Sequence, residues 1–335
     1  MIDTSNNFYI PNLKNIVFLG YSKALAQMQS INLNLKIKDI IVTSSDQKKY
    51  FKKEKNIFVF DRIDSKFKNF IRNKFNISQT LFISIGCRWI FKKETIEKFF
   101  KFNLINFHGT RLPYDAGGGA YSWNILRNDR INNLVAHIIE PGIDKGKIII
   151  NEKSIFPPHC KIPLDFEEYY LSKLVPFYQN FIFKVKNGSK FSLKEQVNYI
   201  GRYNPRLSDK LSGWINWQQN SLQLCRFINA FDDPYCGAMT MIKGQKVFIK
   251  KVHLHGGETT NHPFMTGLIS RHDKKWLVVS TVDENMLLIE SVLNSKQKNI
   301  IGLVSPGERF YTPYDKLDSV FSKKIIYDTK GLKIK

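Results

Sequence analysis

Short apolar runs alternate with amphipathic segments over the first 150 residues. Seven of these runs are typical of strands, at residues 15–20, 37–42, 57–60, 81–85, 104–107, 134–140 and 147–150. Three other segments carry apolar residues at helical spacing, at residues 24–30, 64–75 and 95–100. Strands that alternate with helices predict an α/β fold with an open, mostly parallel sheet over this part of the chain.

The pattern changes after a long helical segment at residues 165–187, for which Asp165 is the predicted N-cap and Gly188 the stop. The polar stretch 188–212 is predicted to be a linker. Beyond it we expect one helix and four strands, at residues 221–231, 246–252, 267–270, 276–281 and 286–292. The predicted organisation is therefore a first domain over 1–187 and a smaller β-rich, barrel-like domain over 213–335. Residues 293–335 have no assigned role.

Length and apolar content fit a cytoplasmic protein of about two domains. The chain has 335 residues, and domains commonly hold roughly 100–200 residues. No apolar run approaches the roughly 18 residues of a membrane span, and the first residues carry neither an apolar signal core nor a basic leader. The cysteines have no CxxC spacing, and His253 and His255 lack a third ligand, so we expect reduced thiols and no metal.

The net charge of +22 has two readings. A basic excess favours nucleic-acid binding, with affinity that falls steeply as salt rises. Lysine is spread along the whole chain, however, together with many Ile, Asn and Phe residues, as an AT-rich genome would favour. A general excess of this kind would also favour anionic small substrates. Composition alone leaves both readings open.

Three polar residues near the end of a predicted strand carry the candidate chemistry. Asn106 and His108 are two apart and therefore point to the same face of the strand, and Asp144 follows 36 residues after His108. Open α/β sheets bind ligands at the carboxyl ends of their strands. An amide and an imidazole can donate to a developing oxyanion, and a carboxylate can accept a proton. This set suits acyl transfer without a covalent intermediate.

Two neighbouring features narrow the chemistry further. The turn after the first strand reads LGYSKA and lacks the GxGxxG pattern of a dinucleotide site. No serine or cysteine lies in a GxSxG setting, so no covalent nucleophile is indicated. Gly109, Pro113 and the run Gly117, Gly118 and Gly119 predict a loop whose backbone can approach a ligand closely.

These motifs resemble the formyltransferase family that uses 10-formyltetrahydrofolate. The family pattern is Asn-x-His, then Leu-Pro, then Asp-x-Gly, which the chain matches at Asn106, His108, Leu112–Pro113, Asp144 and Gly146. His137 also matches a recurrent family position. The runs NIVFLG, LFISIGCRWI, GWINW and INAFDDPYCGA resemble other parts of the same fold, so the resemblance covers most of residues 14–292. It implies a Rossmann-like catalytic domain followed by a smaller C-terminal domain.

Within this family, the variant HGTRLP, followed by GGG and SW, resembles the nucleotide-sugar N-formyltransferases. That resemblance implies a dTDP- or UDP-linked amino sugar as acceptor, in particular a 4-amino-4,6-dideoxyhexose made for O-antigens and related glycans. It also implies a homodimer formed through the tail. Two alternatives stay open: a methionyl-tRNA formyltransferase, and a non-catalytic RNA-binding protein on the same fold.

The resemblance also implies roles for individual residues. Asn106 and His108 would stabilise the oxyanion and Asp144 would assist removal of the amine proton. The residues implied to bind 10-formyltetrahydrofolate are Gly86, Cys87, Arg88, Trp89, Ile138 and Gly142. Those implied to bind the acceptor are Arg111, Tyr114, Gly117, Gly118, Gly119, Tyr121, Trp123 and Arg202. No metal, membrane or nucleic-acid partner is expected under this reading.

Overall fold

A computed structural model of the chain describes residues 6–51, 56–197, 201–256 and 260–335. The strands of its first part are β1 (Asn7–Phe8), β2 (Asn15–Gly20), β3 (Lys38–Thr43), β4 (Ile57–Val59), β5 (Thr80–Ile85), β6 (Leu104–His108), β7 (Asp115–Gly117), β8 (Ile131–Ile138), β9 (Ile148–Ile155), β10 (Phe191–Ser192) and β11 (Arg202–Asn204). The helices are α1 (Leu25–Asn34), α2 (Ser65–Lys74), α3 (Ala120–Arg127), α4 (Pro163–Lys186) and α5 (Asp209–Ser212). Thr95–Phe100 forms a π-helical turn.

Seven of the described strands form one sheet in the order β4-β3-β2-β5-β6-β8-β9. The neighbouring strands from β4 to β6 pair in parallel, whereas β8 is antiparallel to both of its neighbours, β6 and β9. The strand order reverses between β2 and β5, and such a switch point opens a crevice at the carboxyl ends of the strands. The predicted α/β fold is therefore confirmed, and the crevice lies beside the end of β6.

Both faces of this sheet are buried. Ile16 and Phe18 of β2 pack in one apolar cluster with residues of α1 and α4, while Val17 and Leu19 pack in a second cluster with α2 and the Thr95–Phe100 turn. Successive strand residues point to opposite faces, so a strand covered on both sides reads as a continuous apolar run. This is why the runs in the sequence predicted these strands well.

Helix α4 begins earlier than predicted. It starts at Pro163, whose fixed φ suits the first helical position. Asp165 therefore lies in the first turn and is not the N-cap. Its Oδ2 accepts hydrogen bonds from the backbone N–H groups of Lys161 (2.7 Å) and Ile162 (3.1 Å). The helix ends as predicted, with Gly188 at φ +76° after it.

The stretch predicted as a linker is bonded to the first domain where the structure describes it. Strand β10 pairs with β1, and Lys194 bridges to Ile148 beside it. Strand β11 runs parallel to β7. Residues 198–200 of this stretch lie outside the described residues, and the predicted domain boundaries stay a prediction.

The smaller domain is an antiparallel barrel. Helix α6 (Ser221–Ala230) precedes strands β12 (Ala238–Ile242), β13 (Gln245–His255), β14 (Ile269–His272), β15 (Leu277–Ser280) and β16 (Met286–Leu293). The described strands pair in the order β12-β13-β16-β15-β14. Arg309 bridges to Leu268 beside one edge and Tyr311 bridges to Met241 on the other, so the segment between them closes the sheet. The predicted β-rich, barrel-like domain is confirmed.

The last residues form α7 (Tyr314–Ser322) and a hairpin of β17 (Ile325–Asp328) and β18 (Gly331–Ile334). The hairpin returns to the first domain, where Ser45 Oγ donates a 3.3 Å hydrogen bond to the Thr329 carbonyl. Within the described ranges, no helix combines the length and the apolar character needed to cross a membrane. All four cysteines are free in this structure.

Candidate active site

Strand pairing brings the first candidate residues together. Strands β5 and β6 are parallel with Ser84 opposite Asn106, and antiparallel β8 places His137 on the other side of Asn106. His108 ends β6 two residues later on the same face. The amide and both imidazoles therefore lie at the carboxyl edge of the parallel strands, where the sequence predicted a ligand site.

His137 holds the Asn106 amide in place. Its Nδ1 lies 2.9 Å from the Ile138 carbonyl oxygen and can only donate to it, so Nε2 accepts from Asn106 Nδ2 at 3.1 Å. Burial lowers the pKa of His137 to about 4, so the ring is neutral at physiological pH. Because one hydrogen of the Asn106 side-chain amide is bonded to this ring, the directions of its other hydrogen and of its side-chain oxygen are fixed.

Asp144 lies opposite His108 on a constrained turn. Its φ is +55°, and its Oδ2 accepts a 2.9 Å hydrogen bond from the Gly117 backbone N–H. The neighbouring carbonyls of Asp144 and Gly146 accept from Gln196 Nε2 at 2.9 and 2.6 Å. A left-handed backbone conformation is strained in a non-glycine residue, and these hydrogen bonds stabilise it at Asp144.

The electrostatics keep Asp144 ionised. Burial by itself would raise the pKa of this carboxyl, but His108, His137, the Gly117 N–H and Arg206 together lower it below its usual value. Its Oδ2 lies 3.6 Å from His108 Nε2, which is too long for a hydrogen bond. His108 Nε2 is buried and has no hydrogen-bond partner among the described residues. It can therefore donate to a ligand that enters beside the carboxylate.

The turn after β5 lies next to this trio. Gly86 has φ +58°, and a Cβ on it would stand 2.3 Å from the Tyr21 carbonyl oxygen, so the tight turn needs glycine. Trp89 is buried, and its Nε1 has no hydrogen-bond partner in the described part of the chain. Burial raises the pKa of Cys87 to about 12, so this thiol is no nucleophile. An unused buried indole donor beside this turn can bind an acceptor atom of a flat polar heterocycle.

Ile138 and Gly142, the other two residues implied to bind folate, lie in different settings. Ile138 is fully buried in the core, its N–H donates to the Lys147 carbonyl, and its own carbonyl accepts from His137. Gly142 lies in the turn before Asp144 at φ +107°. Of the two, only Gly142 is on the loop that borders Asp144.

The glycine run borders Asp144 from the other side. Gly117 ends β7, and a Cβ on it would stand 2.2 Å from the Asn204 carbonyl oxygen of β11. The Gly118 N–H donates to that same oxygen at 3.0 Å. Gly119 precedes α3 with φ +72°. Gly117 is therefore part of a two-strand ladder of β7 and β11, here called the glycine ladder, and Gly118 and Gly119 connect it to α3.

Arg111 and Arg202, which the resemblance implied to bind the acceptor, surround a buried aspartate together with Arg127. Asp115 lies 3.4 Å from Arg111, 3.3 Å from Arg127 and 3.0 Å from Arg202. Arg111 also approaches Asp129 at 3.5 Å and lies over the ring of Tyr114, 5.4 Å from its centroid. The described cluster contains three arginines and two aspartates, so it carries a net positive charge beside the glycine ladder.

The two aromatic residues of α3 face different surroundings. Tyr121 packs near Phe166 and Tyr170, with ring centroids at 6.4 and 6.1 Å, so its ring belongs to the packing between α3 and α4. Trp123 Nε1 donates to the Pro205 carbonyl at 2.9 Å. Tyr121 is therefore part of a helix interface, and Trp123 fastens the segment that follows β11.

Sequence reasoning did not assign His137, Arg206 and Tyr327 to the site. The resemblance marked His137, and its place opposite Asn106 follows from strand pairing. Arg206 lies in the predicted linker, where the sequence indicated a nucleotide contact only weakly, and Tyr327 gave no signal; both lie far from residues 106–144 in the chain. Arg206 influences both Asp144 and Cys87 electrostatically, and Tyr327 packs on Arg206 and Arg88.

Comparison with known proteins finds formyltransferases among the relatives of this chain. The model of the formyl transferase C-terminal domain matches residues 208–302. The methionyl-tRNA formyltransferase of Prochlorococcus marinus subsp. pastoris is 27% identical over 292 residues, which cover 80% of this chain and 86% of that protein. The chain is therefore similar to formyltransferases, over its C-terminal part by the domain model and over most of its length by this relative.

Two solved structures of formyltransferases show the same fold. WlaRD, a sugar 3N-formyltransferase solved with dTDP and 5-N-formyl-tetrahydrofolate, has a TM-score of 0.60 at 21% identity and covers 84% of this chain and 98% of its own. The N-formyltransferase of Helicobacter canadensis, solved with folinic acid and dTDP-3-aminofucose, has a TM-score of 0.61 at 18% identity and covers 83% and 99%. The fold and the resemblance to formyltransferases read from the sequence are thus confirmed, and the residue roles stay predictions.

Proposed function

We propose that this protein is a cytoplasmic enzyme that transfers the formyl group of 10-formyltetrahydrofolate to the amine of a dTDP- or UDP-linked amino sugar, for O-antigen or a related glycan. The observation that carries the proposal is the convergence of Asn106, His108 and ionised Asp144, with His108 Nε2 buried and unpartnered. Donors and a base placed together, with no nucleophile, match direct acyl transfer to an amine.

Each step of the proposed formyl transfer can be assigned to a residue of the site. The neutral amine attacks the formyl carbon, and the Asn106 amide and His108 Nε2 donate to the oxygen as it becomes negative. Asp144 accepts the proton that the amine nitrogen loses. The new bond joins that nitrogen to the formyl carbon, the bond from carbon to N10 breaks, and N10 takes up a proton. The products are the formamido sugar and tetrahydrofolate.

The surroundings suit both substrates. The Trp89 Nε1 donor after the Gly86 turn is unused among the described residues, which fits the pterin side of a folate. On the opposite side of Asp144, the glycine ladder and the electropositive cluster around Asp115 fit a nucleotide diphosphate. We infer that the folate lies against residues 86–89 and the acceptor against residues 111–123 and 202.

Methionyl-tRNA is the second candidate acceptor. It is favoured by the name of the Prochlorococcus relative, which matches 80% of this chain, and by the net charge of +22. The glycine-rich HGTRLP variant and the dTDP named for both structural neighbours support the sugar nucleotide. The non-catalytic RNA-binding reading has no such support, since the site keeps its donors and its base.

A panel of acceptors tests the proposal. The protein is incubated with 10-formyltetrahydrofolate and one acceptor at a time: a dTDP-3-amino sugar, a dTDP-4-amino sugar, a UDP-4-amino sugar or methionyl-tRNA. We expect formylation of a sugar nucleotide, detected as a mass gain on the sugar, with the 4-amino position preferred. Formylation of methionyl-tRNA alone would refute the sugar reading. Light scattering of the same protein tests the expected homodimer.

A further inference from the structure

The C-terminal hairpin stands at the edge of the crevice that holds the candidate site. Its strands, Ile325–Asp328 and Gly331–Ile334, pair along their whole length, and an ion pair between Asp328 and Lys333 ties them together. Backbone bonds between Lys324 and Lys335 close its open end at 2.7 and 2.9 Å. The hairpin is thus an ordered element, and Ser45 after β3 bonds to its turn at Thr329.

Tyr327 of this hairpin meets two arginines. The Arg88 guanidinium carbon lies 4.6 Å from the centroid of the Tyr327 ring, and that of Arg206 lies 5.7 Å from it. Both distances fit cation–π contact. Arg88 comes from the turn after β5, and Arg206 from the segment after β11, so one tyrosine joins the two sides of the crevice to the tail.

The arginine pair carries more positive charge than its surroundings neutralise. Arg88 Nε is buried without a hydrogen bond among the described residues, and its carboxylate neighbour is Asp46 at 3.3 Å. In the part of the chain that the structure describes, Arg206 forms no ion pair. Burial lowers the pKa of Arg206, and the positive charge of Arg88 lowers it further.

The location of Arg206 points toward the reacting groups. A Cβ on Gly118 would stand 2.5 Å from Arg206 Cγ, so this glycine lets the arginine stem lie against the ladder beside Asp144. Arg206 also contributes to the low pKa of Asp144. The charge of Arg206 therefore acts on a reacting group of the site, and Tyr327 from the end of the chain packs against its guanidinium.

We propose that the C-terminal hairpin forms a wall of the active site, in which Tyr327 positions Arg88 and Arg206 to bind an anionic group of a substrate. This inference rests on the proposed function. Guanidinium groups bind carboxylates and phosphates through paired N–H donors. Two groups in the reaction have that chemistry: the glutamyl carboxylates of the folate and the diphosphate of the sugar nucleotide.

Binding measurements on full-length variants test this wall. Calorimetry would give the Kd of folinic acid and, separately, of dTDP for the wild type, Tyr327→Ala, Tyr327→Phe and Arg206→Gln. We expect Arg206→Gln and Tyr327→Ala to weaken one of the two ligands by about 10-fold to 100-fold, the worth of a lost charge-assisted hydrogen bond. Tyr327→Phe keeps the ring over the guanidiniums and should stay close to wild type.

Two matched controls separate this role from general damage. Arg62→Gln removes a charge from an exposed loop outside the site, and Phe321→Ala removes a ring that is 81% exposed on the tail helix. Neither should change either Kd by more than about twofold. The Kd loss in Arg206→Gln should also shrink as salt rises, because a charge contact is screened.

Each outcome has a defined meaning. Weaker folinic acid binding identifies the folate carboxylates as the anion, and weaker dTDP binding identifies the diphosphate. If the wild type binds both ligands and folded Arg206→Gln and Tyr327→Ala bind them equally well, the hairpin wall is overturned while the proposed function stands. If the wild type binds neither ligand, the proposed function itself fails.

Discussion

Replacing Asp144 by Asn removes one charge from the candidate site with little change in shape. The amide oxygen can still accept from the Gly117 N–H, which lies 2.9 Å from the carboxylate in the wild type. The charge itself lies 3.6 Å from His108 Nε2, and it would attract a positive charge that develops there by about 4–5 kcal/mol at an effective dielectric constant of about 20. The variant also loses the group that accepts the amine proton.

The expected loss of rate follows from these terms. Each 1.36 kcal/mol of barrier is a factor of 10 in rate, and removal of a general base commonly costs a factor of about 10² to 10⁴. Because the new amide dipole and nearby water replace part of the lost attraction, we expect kcat to fall about 10³-fold. Folinic acid should bind as before, because Asp144 acts on the reacting groups.

Single-turnover release of tetrahydrofolate, with enzyme in excess over 10-formyltetrahydrofolate and a saturating sugar nucleotide, measures this effect. Circular dichroism and a melting curve show whether the variant is folded. A folded Asp144→Asn enzyme that retains kcat within tenfold of wild type would refute the role assigned to this carboxylate. His108→Ala combined with Asp144→Asn should cost far less than the product of the two single losses, since residues that act as a unit are non-additive.

Three further changes test the supporting structure. His137→Phe should lower kcat about 10-fold to 100-fold, because the Asn106 amide loses its partner. Burial lowers the pKa of His137 to about 4 in the folded protein, so the unfolded chain takes up this proton at a higher pH than the folded chain does. The wild type should therefore lose about 3 kcal/mol of stability as the pH falls from about 6.5 to 4, and His137→Phe should remove this loss. Gly117→Ala should destabilise the fold by about 1–3 kcal/mol and reduce activity, because a Cβ would meet the Asn204 carbonyl at 2.2 Å. Asp115→Asn should cost about 2–3 kcal/mol, because it leaves two half-buried arginines without the counter-charge of this buried carboxylate.

Urea titrations over a range of pH measure these stabilities. Gly302→Ala is the control for glycine, because a Cβ there meets nothing within 4 Å. Asp318→Asn is the control for the aspartate, because that side chain is exposed on α7. Equal stability losses in a variant and its control would contradict the explanation given for that variant. For His137→Phe, an unchanged pH dependence would do the same.

The parallel core of the fold could be predicted from sequence because both faces of its strands are buried, and such strands are continuous apolar runs. The strands that were missed have other surroundings. Ala238–Ile242 is built largely of Met, Thr and Ala, which give a weak strand signal. Asp115–Gly117 and Arg202–Asn204 are polar or glycine-containing and become strands through pairing with each other.

Helix boundaries and the tail show the same limit. The helix Ala120–Arg127 follows three glycines, which read as a loop. The start of α4 was misplaced because Asp165 resembles an N-cap, although it bonds to backbone groups from the first turn. The final hairpin is stabilised partly by contacts with residues more than 100 positions away, so local patterns carry little information about it.

The site was predictable where its residues share one strand end or a known motif. Asn106 and His108 are two apart on a strand, so local geometry already placed them together. Asp144 lies 36 residues further along the chain, and the family motif supported its pairing with these two residues. Arg206 and Tyr327 reach the site through the folding of the whole chain, and no local pattern marks them.

The most direct test of the central claim is tetrahydrofolate release by the wild type with a dTDP-linked amino sugar, compared with methionyl-tRNA under the same conditions. We expect turnover with the sugar nucleotide, no release above background with methionyl-tRNA, and loss of the sugar-dependent turnover in Asn106→Ala. Turnover with methionyl-tRNA alone would contradict the account, and would make the net charge of +22 the better guide to the substrate.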